Sequence, residues 1–145
     1  MEVSDQIKVF QKLYNVPRET INQLTEYHKL LIESQEKINL VGPGTISSIW
    51  TRHFSDSAKL TDRIIYYKNK PKTIIRICDV GSGAGFPGLV CFLILLSQKH
   101  EVSMTLIESN KKKCEFLTRL KKKLMLSVSI INERVEKVEE KYDVI

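Results

Sequence analysis

The feature that most constrains this chain is a ten-residue stretch, Asp79-Val80-Gly81-Ser82-Gly83-Ala84-Gly85-Phe86-Pro87-Gly88, which holds four of its six glycines. It follows a β-branched run, Thr73 to Val80, and leads into an unbroken apolar segment, Leu89 to Leu96. A strand that passes through a glycine turn into a buried helix is the context in which such a motif signifies ligand binding rather than chance. Glycine allows φ > 0 and close approach of the backbone to a ligand, and Pro87 suits a first helical turn. Beyond it, Val102 to Ile107 reads as a second strand, and Ser109 is expected to cap a helix with Phe116, Leu117, Leu120 and Leu124 inward. Ser127 to Ile131 reads as a third strand, Asn132 to Glu140 as a polar connection with helical character, and Tyr142 to Ile145 as the opening of a fourth. This β-loop-α-β-α-β order with short connections predicts an α/β fold with a parallel, doubly wound sheet. Ligands of such sheets sit at the carboxyl ends of the strands.

The first 70 residues lack this texture and read as helices. Ser4 and Asp5 are candidate caps for a segment with Ile7, Phe10, Leu13 and Tyr14 on one stripe, stopped by Pro17. Ile21, Leu24, His28, Leu31 and Gln35 repeat at helical spacing. After Gly42-Pro43-Gly44, Thr45 is expected to cap a segment bearing Ile46, Ile49, Trp50 and His53, and a fourth runs from about Asp56 to Tyr66. With Lys68-Asn69-Lys70-Pro71 as a polar linker, the chain divides into a helical segment, 1–70, and a ligand-binding unit, 71–145.

Two glycine registers fit: Gly81, Gly83 and Gly85 form GxGxG, and Gly83, Gly85 and Gly88 form the GxGxxG of dinucleotide sites. Glu108, at the end of the second strand, stands where a ribose-binding carboxylate is expected for either kind of cofactor. Asp79 weighs between them. A carboxylate beside a pyrophosphate is repelled, whereas it suits the cationic ammonium and sulfonium of S-adenosylmethionine. The readings open on the residues alone are an S-adenosylmethionine site, a nicotinamide-dependent oxidoreductase fragment, and an ordinary tight turn.

The net charge of +6 narrows this less than it first suggests. All of the excess lies between Lys111 and Lys123, on the helix after the second strand; the rest of the chain is balanced. With the apolar residues inward, Lys111, Lys112, Glu115, Arg119, Lys122 and Lys123 are expected to point out. Such a face is either simply solvated or a contact for phosphates, which would supply affinity more than specificity. A hydrophobic fraction of 42% excludes a disordered chain. No apolar run approaches the roughly 20 residues that span a bilayer, and no signal peptide is visible. Cys78, Cys91 and Cys114 are scattered in apolar patterns, so reduced, packed thiols in a cytoplasmic protein without a metal site are expected.

Taken together, the motifs resemble one family closely, the RsmG (GidB) methyltransferases, bacterial enzymes that methylate N7 of a guanine in 16S ribosomal RNA. Asp79 to Gly88 looks like the family's cofactor loop. Lys37-Ile38-Asn39-Leu40 and Arg52-His53-Phe54-Ser55-Asp56-Ser57 resemble its KxNL and RHxxDS segments. Leu106-Ile107-Glu108-Ser109, Lys112-Lys113, Phe116-Leu117 and Arg134-Val135-Glu136 follow in order. The resemblance implies a Rossmann-like class I methyltransferase sheet, incomplete here, preceded by a helical segment. It implies S-adenosylmethionine as cofactor, 16S ribosomal RNA or the small ribosomal subunit as partner, and a monomer. Family members continue past Ile145 into an RA-containing stretch and further strands, so a chain cut short at its C-terminus is expected, and an inactive fragment or a non-catalytic RNA-binding remnant stays among the readings.

Carried over residue by residue, the resemblance places Gly81 and Phe86 against the cofactor, Glu108 at its ribose, and Val135 and Glu136 at its adenine end; Gly83, a glycine of both registers, is expected at the cofactor with them. From the residue alone, Phe86 is equally a packing residue at the start of the helix. Arg52 and His53 are candidates for substrate contact, or for tying the helices to the sheet. No catalytic residue is expected. N7 of guanine has a free lone pair and a sulfonium methyl is already activated, so orientation, able to contribute roughly 7–11 kcal/mol, suffices. His28, on an apolar stripe, reads as a packing residue.

Overall fold

A computed structural model of the chain describes residues 1–66, 74–139 and 142. The helical segment comprises α1 (Val3–Tyr14), α2 (Arg18–Gln35) and α3 (Ser55–Tyr66). Between α2 and α3 the chain winds as a 3-10 turn, Pro43–Ser48, and a wider π-helical turn, Trp50–Phe54. The periodicity had suggested one ordinary helix there. The wide turn instead buries Trp50 and Phe54 together, and their rings meet edge to face at 4.8 Å.

The second part contains β1 (Ile75–Val80), α4 (Gly88–Ser97), β2 (Val102–Ile107), α5 (Lys111–Leu124) and β3 (Ser129–Ile131). The three strands pair in parallel in the order β1-β2-β3. Val80 stands beside Ile107, and Ile107 beside Ile131, so all three strands end level. Of the expected first strand, Thr73 lies outside the described residues and pairing begins at Ile75. The expected fourth strand also falls outside them, except for Tyr142, whose ring lies 5.7 Å from the Arg76 guanidinium carbon.

α4 is apolar on every side and buried from Gly88 to Leu95, as a helix with neighbours on two faces must be. It contacts β1 and β2 on one side and α2 and α3 on the other. α2 also packs on α5, so the helical layer covers both crossover helices, and one continuous apolar core joins it to the sheet.

Local departures from the sequence reading have simple causes. α5 is capped by Asn110, not Ser109: its side chain accepts from the Lys113 N–H at 3.1 Å. Neither Ser4 nor Asp5 caps α1, which starts behind Glu2 without a side-chain cap bond. Leu13 is 67% exposed because Phe10 and Gln6 take the buried stripe of that helix. His28 accepts at Nδ1 from the buried Trp50 indole N–H at 3.1 Å, and burial lowers its pKa, which confirms a neutral packing residue. All three cysteines are buried, and the Cys91 and Cys114 thiols donate to the carbonyls of Ser57 and Glu108.

Candidate cofactor site

Because the strands end level, the turns that follow them emerge side by side. The N–H groups of Gly81 and Ser82 both donate to the carbonyl of Ile107, at 2.8 and 3.2 Å, and the Glu108 N–H donates to that of Ile131 at 3.0 Å. The glycine loop is thereby tied to β2, and the end of β2 to β3.

Glu108 is the hub of this arrangement. Its carboxyl accepts the Gly83 N–H at Oε1, 2.9 Å, and the Asn110 N–H at Oε2, 2.8 Å. Its carbonyl accepts from the Cys114 thiol at 3.1 Å and from the Asn132 amide at 2.9 Å. The side chain is 7% exposed, so nearly every direction around it is fixed by protein. Each carboxyl oxygen nevertheless has a second lone pair, and a pair of vicinal hydroxyls is the donor set that would use both.

The four motif glycines are glycine for different reasons. Gly81, Gly83 and Gly85 have φ of +71°, +53° and +93°, where side chains are strained. A Cβ on Gly81 would meet nothing within 4 Å, so the space beside that residue is open. A Cβ on Gly85 would run into the hydroxyl oxygen of Tyr27 and lie 2.9 Å from Leu89 Cδ1. One on Gly88 would lie 2.6 Å from Asp79 Oδ2. The first two positions thus shape the loop, and the last two make room for protein side chains.

Asp79 is 9% exposed and accepts the Gly88 N–H at 3.1 Å, an anion held at the start of α4. Burial pushes its pKa up to about 6, assisted by the charge of Glu108 and opposed by hydrogen bonds from Gly88 and Ser82. Asp79 therefore sits under the loop as a structural cap, ionised at neutral pH.

Phe86 is half-buried and shares a stack with two rings from the helical layer: Tyr27 at 5.6 Å and 9°, and His53 at 5.1 Å and 14°. Of the two alternatives weighed for it, these contacts show the packing one. The hydroxyl proton of Thr45 goes to the Gly42 carbonyl at 2.7 Å, leaving its oxygen to accept from His53 Nε2–H at 2.8 Å. Burial and the neighbouring Arg52 charge lower the His53 pKa, against the pull of Asp56. Arg52 itself is exposed.

The structure thus brings together Gly81, Gly83, Phe86, Glu108 and His53. Val135 and Glu136 are exposed on a 3-10 turn, Val135–Lys137, that follows β3. Among the described residues, no hydrogen bond joins either side chain to the loop. Three participants were not singled out from the sequence. Tyr27 donates to the Ala84 carbonyl at 2.5 Å from 57 residues away. Asn110 and Asn132 fix Glu108, and only Asn110, three residues before the Lys113 N–H it caps, left a readable signal. On α5, Arg119 and Lys123 are less free than expected. The guanidinium of Arg119 donates to Ser34 at 2.9 Å, and Lys123 lies 3.5 Å from Glu26, both across to α2.

A level three-stranded parallel sheet, a glycine loop facing a carboxyl on the neighbouring strand, and a helical layer over the crossovers define an incomplete Rossmann-like methyltransferase fold. A comparison of the sequence with family models matches residues 20–145 to the family described as rRNA small subunit methyltransferase G, GidB. The chain belongs to that family. Among curated relatives named ribosomal RNA small subunit methyltransferase G, that of Jannaschia sp. (strain CCS1) is 42% identical over 120 residues, covering 83% of this chain and 54% of the relative. That of Rickettsia felis is 41% identical over 127 residues, covering 88% and 60%. That of Orientia tsutsugamushi (strain Ikeda) is 39% identical over 132 residues, covering 91% and 61%. The chain therefore spans a little over half the length of the curated relatives it matches.

Proposed function

We propose that this chain binds S-adenosylmethionine at the glycine loop and Glu108, and that it serves methyl transfer to N7 of a guanine in 16S ribosomal RNA. The observation that carries the reading is the Gly83–Glu108 pair. Two backbone N–H groups, of Gly83 and Asn110, hold the two carboxyl oxygens in place, and each oxygen keeps a second lone pair. That pair of acceptors fits a ribose diol. Ionised Asp79 beneath the loop favours a cofactor bearing positive charge over one bearing a pyrophosphate. Bound there, S-adenosylmethionine would supply an activated methyl group.

In this reading the chain's own residues orient rather than react. Glu108 holds the ribose, Gly81 and Gly83 admit the cofactor against the backbone, and Phe86, next in the loop, is assigned to the cofactor by the family likeness. Val135 and Glu136, on the turn after the neighbouring strand, are assigned to the adenine end by the family likeness alone. Arg52, exposed beside His53, is assigned to the RNA, as are the solvent-facing lysines of α5. No general base is required at N7. The relatives' printed names support small-subunit ribosomal RNA as substrate class, and the choice of N7 rests on the family resemblance. The unit 71–145 is the cofactor-binding part in this scheme; the buried thiols are in keeping with a cytoplasmic setting, and a monomer is assigned by the family resemblance alone.

The test is calorimetric titration with S-adenosylmethionine, its demethylated product and NAD. Binding of the first two and not the third is expected; preference for NAD would overturn the reading. Transfer of labelled methyl to small ribosomal subunits lacking the modification, located to a guanine N7, tests the second half.

A further inference from the structure

Building on that reading, we propose that Tyr27 is a positioning residue of the cofactor loop, which makes the helical layer a working part of the site. The tyrosine has no solvent exposure. Its hydroxyl donates to the Ala84 carbonyl at 2.5 Å, a carbonyl that belongs to the loop and to a residue 4% exposed. Its ring lies parallel to Phe86 at 5.6 Å and edge-on to Phe54 at 5.3 Å. The same hydroxyl fills the space beside Gly85 that any Cβ would need.

These contacts fix the loop at consecutive residues. The Ala84 carbonyl is held from α2. The N–H of the same peptide group, that of Gly85, donates back to the Ser82 carbonyl at 2.7 Å, and the Gly85 carbonyl receives the Leu89 N–H at 2.9 Å. Phe86 then lies on the tyrosine ring. The Gly83 N–H reaches Glu108 only while this turn keeps its shape. Burial, with the charge of Asp79, raises the Tyr27 pKa well above its ordinary value, so the phenol stays a donor throughout the physiological range. Removing the hydroxyl leaves the Ala84 carbonyl buried without that partner, and the loop then gains conformations in which the carbonyl reaches water. Binding must select the original shape from among them, so affinity falls.

The experiment compares Tyr27→Phe with Tyr14→Phe. Tyr14 lies on α1 in the same layer, and its hydroxyl bonds to Ser55, away from the loop. Both substitutions remove one tyrosine hydroxyl, so a merely structural role would make them alike. Residue-resolved hydrogen exchange needs no ligand. Tyr27→Phe is expected to lose protection at Gly83, Gly85 and Leu89 while β2 amides keep theirs, and Tyr14→Phe is expected to leave those three unchanged. Unchanged loop protection in Tyr27→Phe overturns the proposal, as does a uniform loss that includes β2. Titration with S-adenosylhomocysteine then reads the consequence. About tenfold weaker binding is expected for Tyr27→Phe and less than twofold change for Tyr14→Phe, a tenfold ratio being one ordinary hydrogen bond's worth. Equal affinities for Tyr27→Phe and the parent chain overturn the proposal. If the parent chain binds no S-adenosylhomocysteine, it is the proposed function that falls, while loop exchange still decides the role of Tyr27.

Discussion

Replacing Asp79 by Asn is predicted to make the protein more stable at neutral pH, although it removes a carboxylate from the start of a helix. Asp79 gains from the helix terminus and from the Gly88 N–H, yet burial outweighs both and its pKa rises from 3.8 to about 6. A carboxyl whose folded pKa is raised supports folding while protonated; that support is complete below its unfolded pKa and is lost as pH climbs through the folded one. From 3.8 to about 6, the charge costs about 3 kcal/mol at pH 7 and about 1.6 kcal/mol at pH 5. Asparagine keeps an oxygen for the Gly88 N–H and never ionises; its amide can use the Ser82 hydroxyl oxygen as an acceptor. The groups facing Asp79, namely Glu108, Tyr27 and Cys91, are unchanged by the substitution. Urea unfolding at a series of pH values is the assay. With a slope of about 2 kcal/mol/M, the midpoint should rise by about 1.5 M at pH 7, by about half that at pH 5, and not at all near pH 3.5. A variant less stable than the parent at pH 7 would refute the reasoning, because the helix terminus would then outweigh desolvation. A gain independent of pH would refute it too, since ionisation would not be its source.

Glu108→Gln leaves one side-chain oxygen for two backbone N–H groups, so a loss of about 1–3 kcal/mol in stability is expected, together with weaker S-adenosylmethionine binding. Denaturation and calorimetry on the same sample check both. Gly85→Ala is expected to be severely destabilising alone and less so in a Tyr27→Phe background, because the hydroxyl that meets the new methyl is gone. A double-mutant cycle should show coupling of about 0.5–3 kcal/mol, and strict additivity would contradict the geometry. His28 has its pKa lowered by burial, so its contribution is full above the unfolded value near 6.5 and is lost as pH falls. Trp50→Phe, which removes the donor to Nδ1, should flatten the acid limb of the stability curve.

Much of the fold was legible because it is written locally. The strands at Ile75–Val80 and Val102–Ile107 and the helix bearing Phe116, Leu117, Leu120 and Leu124 follow from hydrophobic pattern within a few residues. Gly81, Gly83 and Glu108 could be assigned to one site because strand-end geometry brings the motif and the next strand's carboxyl together in any such sheet. What stayed hidden was non-local or non-periodic. Tyr27 lies on the same buried α2 face as Leu24 and Leu31, but the sequence stripe ran through its neighbour His28, and nothing in the spacing says that the tyrosine hydroxyl ends on Ala84. The π-helical turn at Trp50–Phe54 breaks the period on which helix reading depends. Val128 is buried but precedes the ladder, whose pairing with β2 starts at Ser129, so hydrophobic pattern alone overextended β3.

The crowding at Gly85 and Gly88 bears on how portable this loop is. Two glycines that a motif search scores as ligand contacts are spaces reserved for a phenol from α2 and a carboxyl from β1. The decapeptide and the helix above it are therefore a matched pair. Grafted onto a sheet whose covering helix lacks the tyrosine, the loop would keep its spelling and lose its clamp. Among relatives, exchanges at position 27 should be accompanied by exchanges at position 85, and the N-terminal helices should travel with the loop rather than be swapped as an independent module.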